Sequence, residues 1–241
     1  MDNFILENKL NALRLGDYCL TDNPLKVIKN IDYDKKNNYW FLDNNSDILA
    51  VAHFDTVEQR HPNFEIIYDK FDKTKIRSIK SIQLDDRLGI YIIGEILPQF
   101  NCNYDLLITD FEEAGNSSAF NFKTDKQYNW IFEFDRHGIN PALYQYEKNR
   151  TWYKAVLSLY DIAVGSFSDI SALDGLGCCA INFGTAYYLE HTKKCFCDIT
   201  DLNTCINKFL IFYNKNKNIY YNFECEKGYK NSAKQELNNG I

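Results

Sequence analysis

The chain of 241 residues is poor in the residues that break or bend a backbone, with only four prolines and eleven glycines. No Pro/Gly/Ser-rich stretch divides it, so nothing marks a linker between separate domains. No glycine cluster follows the first apolar run, which excludes a phosphate-cradling loop and argues against magnesium-dependent phosphoryl chemistry. Long apolar runs are also missing: none reaches the length needed to span a bilayer, and no membrane role is expected. Positive charge is not in excess either. The formal net charge is −6, and the basic stretch "DKFDKTKIR" at 69–77 is interleaved with acids. A nucleic-acid backbone is therefore not the expected partner.

The N-terminus "MDNFILENKLNALRLGDY" is acidic early and interrupts its apolar pattern with charges, unlike a secretory signal. The expected location is cytoplasmic. The eight cysteines are then expected as reduced, buried thiols rather than disulfides. Cys178 and Cys179, inside "CCAINF", read as small hydrophobes. The C-x-C pair Cys195 and Cys197 lacks the two-residue spacer of zinc knuckles.

Four near-continuous apolar runs predict central strands covered on both faces: 47–53 "DILAVAH", 104–109 "YDLLIT", 130–134 "WIFEF" and 178–183 "CCAINF". Residues 63–83 alternate and predict a hairpin at a sheet edge. Helical signals fall between the strands. Asp85 or Asp86 caps a helix carrying Ile90, Ile93, Ile96 and Leu97 that ends before Pro98. Ser168 caps a short helix stopping at Gly175 or Gly177. Thr200 caps a last helix with Leu202, Cys205, Ile206, Phe209 and Leu210 on one face. The alternation predicts an α/β three-layer sandwich, its mixed, largely parallel sheet flanked by helices. One domain is expected over 1–225, with a polar tail at 226–241.

Each predicted strand runs into acidic or imidazole groups at its carboxyl end. His53 and Asp55 follow the first, and Glu112 and Glu113 the second, in "DFEEAG". Asp135 follows the third in "DRHG", and His191 follows the fourth in "EHT". Asp85 and Asp86 stand before the first helix. In open α/β sheets these ends share one ligand-binding crevice. Singly, each has a plain reading: a structural histidine, a helix-capping DD pair, a solvated EE turn. Together, two imidazoles and several carboxylates suit a pair of divalent cations. One carboxylate would bridge them, each would take one imidazole and one further carboxylate, and a spare glutamate would serve as base.

The ordered set "AHFDTV", "LDDRLG", "TDFEEAG", "EFDRHG" and "EHT" resembles the di-zinc aminopeptidase and carboxypeptidase clan over residues 45–212. The resemblance implies a zinc aminopeptidase-like (phosphorylase/hydrolase-like) fold and two divalent metals, zinc by default with cobalt or manganese as alternatives. It implies His53, Asp85, Glu113, Asp135 and His191 as metal ligands, with Asp85 bridging. Glu112 would be the general base, and Asp55 the partner of the His53 ring. The implied substrate is a peptide cleaved at its N-terminus. An N-acyl amino acid or a C-terminal residue is the alternative, and would require Arg136 or Arg87 in the cleft to meet a substrate carboxylate. A non-catalytic relative would have lost a ligand or Glu112, and neither is lost here. Neither the stretch from His53 to Asp85 nor that from Asp135 to His191 has room for a lid or dimerisation domain, so the compact single-domain aminopeptidases are the nearer relatives. The "DDR" spelling is closer to the branch that forms large assemblies, leaving a homo-oligomer open.

Two further residues and a group of tyrosines carry two readings each. Asp169 in "FSDIS" is either near the site or a helix cap. His137 is a substitute ligand or a bystander. The tyrosines at 143–160 and 187–188 line a pocket or fill the core. His61 reads as exposed in a polar loop.

Overall fold

The computed structural model describes residues 12–57, 65–79, 84–192 and 194–224. His61 and the 226–241 tail lie outside them.

The chain opens with α1 (Ala12–Leu20) and a short antiparallel pair, β1 (Asp32–Asp34) and β2 (Tyr39–Leu42). These three elements have no counterpart in the sequence reading. The four predicted central strands follow, interleaved with other elements. β3 is Ile48–His53, the hairpin strands β4 and β5 are Glu65–Tyr68 and Lys75–Ile79, and β6 is Asp105–Thr109. β7 is Trp130–Arg136 and β8 Ala180–Gly184, with β9 (Tyr187–Tyr188) and β10 (Phe196–Asp198) behind them.

The central sheet has six strands in the order β1-β2-β6-β3-β7-β8. β6, β3, β7 and β8 run parallel, and β2 joins antiparallel. All residues of β3, β6 and β8 are buried, as expected of parallel strands covered on both faces. The 63–83 hairpin forms, but away from the edge of this sheet. β4 and β5 belong to a second, antiparallel sheet of order β4-β5-β10-β9, because β10 pairs with β5. That pairing joins segments far apart in sequence, which local alternation cannot signal.

One face of the central sheet is aromatic. Phe132 packs on Phe209 with ring centroids 4.9 Å apart, Phe134 on Phe209 at 5.1 Å and Trp130 on Phe212 at 5.5 Å. Phe209 and Phe212 belong to α4 (Ile199–Asn216). Each such buried ring contributes about 1.5–3 kcal/mol by leaving water. The α4 cap is Asp198, whose carboxylate accepts from the Thr200 and Asp201 amides at 2.9 and 3.2 Å. Thr200 is thus the second residue of the helix rather than its cap. Leu202, Cys205, Ile206 and Phe209 are buried as predicted, while Leu210 is only partly so.

The same face carries the helix after the DD pair. Asp86 is its cap, accepting from the Gly89 amide at 3.1 Å. From α2 (Arg87–Tyr91) the segment continues as a π turn, Ile92–Ile96, and a 3-10 turn, Leu97–Phe100. It therefore passes through Pro98 instead of ending before it: proline takes an early position of the new turn, where its missing N–H costs nothing. A β-carbon on Gly89 would collide with the Phe134 carbonyl and the Asp86 carboxylate, so glycine lets the helix start lie against β7.

The opposite face meets the 3-10 segment Asp169–Leu176, which touches β3, β7 and β8. Ser168 precedes it without a capping hydrogen bond, and Gly177 ends it at φ +77°. α3 (Arg150–Leu157), also absent from the sequence reading, flanks the outer edge of β8. The Trp152 indole N–H donates to the Ala180 carbonyl at 3.1 Å. Cys178, Cys179, Cys195 and Cys197 are buried free thiols. No described helix is long and apolar enough to cross a membrane.

Candidate metal centre

His53 ends β3 and is 1% exposed. Its Nε2 lies 3.2 Å from Asp135 Oδ1 and 3.5 Å from Asp85 Oδ1. Across Asp85, His191 Nε2 is 3.1 Å from Asp85 Oδ2 and 3.6 Å from Glu113 Oε2. His53, Asp85 and Asp135 therefore form one group, and Asp85, Glu113 and His191 a second. Within each group the candidate ligand atoms lie within 4.8 Å of one another. Asp85 belongs to both and offers each a different oxygen. Among the described residues no other such group occurs, and neither contains a cysteine.

The local backbone explains the convergence. His53 and Asp135 sit at the carboxyl ends of adjacent parallel strands. Glu112 and Glu113 ride a tight turn after β6, closed by the Gly115 amide donating to the Glu112 carbonyl at 2.7 Å, with Gly115 at φ +66°. Asp55 holds that turn, accepting from the Glu112 amide at 3.1 Å and the Glu113 amide at 3.0 Å. Its carboxylate is 3.5 Å from His53 Nδ1, while its own backbone carbonyl is nearer, at 3.0 Å. Asp55 thus meets the His53 ring through two groups, the carbonyl at the shorter distance. That is an addition to the sequence expectation.

Asp169 lies below. Fully buried, its carboxylate accepts from the Thr109 and Ser117 hydroxyls and so ties the end of β6 to the loop after Glu113. It opens its 3-10 segment but does not cap it, the cap position being Ser168, and its carboxylate serves the frame around the candidate site instead. His137 Nδ1 pairs with Glu190 Oε1 at 2.9 Å and enters neither group. Arg87 is buried, its guanidinium 3.7 Å over the Phe54 ring and donating to the Tyr18 and Thr21 carbonyls. Those bonds turn it away from a substrate carboxylate.

The electrostatics are those of crowded acids. Burial, with help from Asp135 and Asp169, pushes the Glu112 carboxyl up to about 8. Burial and the Asp85 charge push Glu113 up to about 7. The Asp85 carboxylate raises His191 to about 9. Burial pulls His53 down, yet Asp135, Asp55 and Asp85 outweigh it and the ring stands well above its ordinary value. Glu113 Oε1 is buried without a hydrogen-bond partner. A donor set of two imidazoles and three carboxylates, with an orphaned carboxylate oxygen among them, fits divalent cations. Zinc, cobalt and manganese all accept such ligands.

Sequence reasoning missed Asn182 and Glu133, both fully enclosed on this side of the sheet. A polar residue inside an apolar strand such as "AINFG" was the available signal. A cleft of about 1760 Å³ opens between the 111–125 loop and the 162–176 segment, with Phe111, Gly115, Tyr144 and Phe167 in its wall. Of the tyrosines with two readings, Tyr144 lines this cleft and Tyr146 is core.

The fold has solved counterparts. A Staphylococcus aureus tripeptidase is similar at a TM-score of 0.62, with 13% identity, over 85% of this chain and 98% of that one. Aminopeptidase PepT from Bacillus cereus gives 0.58, with 12% identity, over 84% and 98%. The dodecameric PhTET1-12s gives 0.54, with 12% identity, over 83% and 99%. No protein-family model and no curated protein sequence matches the chain.

Proposed function

We propose that this chain is a metal-dependent peptidase releasing residues from peptide N-termini. The observation that carries the reading is the pair of ligand groups joined through Asp85, with Glu112 next in sequence to Glu113 and outside both groups. His53, Asp135 and Asp85 would hold one divalent cation, and Asp85, Glu113 and His191 the other, zinc being the first choice. When bound, the metals supply Lewis-acid polarisation of the scissile carbonyl and acidify the attacking water. Glu112 takes the proton from that water and returns it to the departing amine nitrogen. Burial and the neighbouring carboxylates of Asp135 and Asp169 raise the pKa of Glu112, and cations at the two groups would offset that crowding of negative charge. Asp55 keeps the His53 ring in one orientation and, through the two amides it holds, fixes the turn that carries Glu112.

The similar folds of a tripeptidase and an aminopeptidase support a peptide substrate. The carboxypeptidase or deacylase reading loses one of its two candidate cations, since Arg87 is engaged in the core. A single catalytic domain over 1–225, a cytoplasmic setting and self-association belong to the same proposal. For the last of these, a dodecamer is among the similar structures.

Elemental mass spectrometry of the purified protein beside His53→Ala and Glu112→Ala tests the reading. Two equivalents of metal are expected in the wild type, fewer in His53→Ala, and two in Glu112→Ala. Aminoacyl anilides should be cleaved and N-acyl amino acids should not. A wild type that neither retains nor takes up a divalent metal would sink the proposal.

A further inference from the structure

Asp135 stands where the β7–β8 ladder breaks. The register shifts between Phe134 and Arg136, an irregularity of the kind that re-aims a side chain beside a site. The shift takes Asp135 out of the regular backbone pairing, and side chains supply its hydrogen bonds instead. The Asp135 amide donates to Asn182 Oδ1 at 3.1 Å, and its carbonyl accepts from the Tyr187 hydroxyl at 3.0 Å. Asn182 Nδ2 then donates to Asp135 Oδ2 at 3.1 Å and to the Tyr144 hydroxyl at 3.3 Å.

The orientation of that amide is dictated by chemistry. An N–H faces one end of the Asn182 side chain and a carboxylate oxygen the other, so only one placement of its O and N satisfies both. Asn182 is 1% exposed, and its backbone is locked by reciprocal bonds with Ala142 at 2.9 and 3.0 Å. Its acceptor and both donors are all engaged.

We propose that Asn182, backed by Tyr144, is the positioning residue that makes Asp135 a one-oxygen metal ligand. Asn182 occupies Oδ2 and leaves Oδ1, the atom facing His53 Nε2, for the cation. The proposal rests on the metallopeptidase reading and adds to it a device that lies outside the quoted motifs. Partners that orient ligating carboxylates in this way typically set metal affinity by about 10–100-fold. Tyr144 also lines the cleft, so the same network connects the cleft wall to the ligand.

The test is a zinc titration against a competing chelator, on wild type, Asn182→Ala and Tyr144→Phe, with melting of each metal-free protein recorded alongside. Wild type should show two sites. Asn182→Ala should weaken one of them, the site holding Asp135, by about 10–100-fold and the other by a much smaller factor. Tyr144→Phe removes one acceptor from the amide and should weaken that same site roughly fivefold. The proposal is overturned if Asn182→Ala binds both zinc ions as wild type does. It is equally overturned if both sites weaken together in step with melting temperature, the signature of a purely structural residue. Should Asn182→Ala fail to fold, Tyr144→Phe decides alone, and unaltered affinity there counts against the proposal. A wild type without zinc sites is a separate result: it removes the metallopeptidase reading itself and this inference with it.

Discussion

The two halves of the candidate metal centre are built from different material. His53 and Asp135 project from adjacent parallel strands, and the His53 ring is 1% exposed. Glu113 and His191 come from a turn and a loop, and the His191 side chain is 51% exposed. His191 also sits in the left-handed region at φ +54°, sparsely populated for residues other than glycine. Asp85 stands between, one oxygen toward each half. A strand-held ligand is placed before any cation arrives, whereas a loop-held one must be ordered by it. The strand half should therefore bind its metal first and release it last.

The severest way to break that asymmetry is His53→Ala. With the strand site gone, Asp85 loses the cation that helps hold it, and the exposed loop site should not retain metal through purification. Elemental analysis should approach zero equivalents, with peptidase activity lost. Retention of one full equivalent would mean that the loop half stands alone, and the ranking would reverse.

Glu112→Gln is the next largest. It should lower kcat by about 10²–10⁴ while both metals stay, because Glu112 lies outside both ligand groups. A change in metal count would move Glu112 from base to ligand.

His191→Ala should cost one equivalent and spare the other, unlike His53→Ala, which should lose both. The same site carries a pH dependence whose sign follows from proton competition. Asp85 raises His191 to about 9 in the metal-free protein, and a protonated imidazole cannot ligate. Affinity at the loop site should then fall as pH drops below about 9. It should fall again near 7, where Glu113, raised to about 7, takes up a proton. Titrations across that window should show the weaker zinc site moving with pH. A pH-independent weaker site would place it on other residues.

How much of this was legible in the sequence divides along a similar line. The parallel strands were, because burial on both faces leaves an apolar run that no neighbour disguises: β3, β6, β7 and β8 fall on the expected segments. So was the meeting of His53 and Asp135, since the ends of adjacent parallel strands converge by topology, whereas Asp85 and His191 reach the same place from segments outside those strands. What escaped depends on partners distant in the chain. The second sheet exists because β10 reaches back to β5, and α3 is fixed by Trp152 bonding to the Ala180 carbonyl. Asp198 rather than Thr200 caps α4, a two-position difference that composition does not resolve, as both residues are good caps. Asn182 escaped because its partner is defined by a break in strand register, which is a property of two strands at once.

Asp55 sharpens the comparison most finely, since it touches both halves from outside the two ligand groups. Its carboxylate accepts from the Glu112 and Glu113 amides and lies 3.5 Å from the His53 ring, whose Nδ1 also has the Asp55 carbonyl at 3.0 Å. Asp55→Asn keeps the carbonyl and one side-chain acceptor but turns the other acceptor into a donor facing an N–H. The strand half keeps its shorter contact, while the turn carrying Glu113 loses one of its two anchors. Zinc affinity should therefore weaken by about tenfold at the loop site, at the low end for outer-shell substitutions, and stay nearly constant at the strand site. Equal weakening at both sites would show that the carboxylate, not the carbonyl, is what orients His53. The two halves would then share a single anchor, and the order in which they fill would depend on Asp55 rather than on strand against loop.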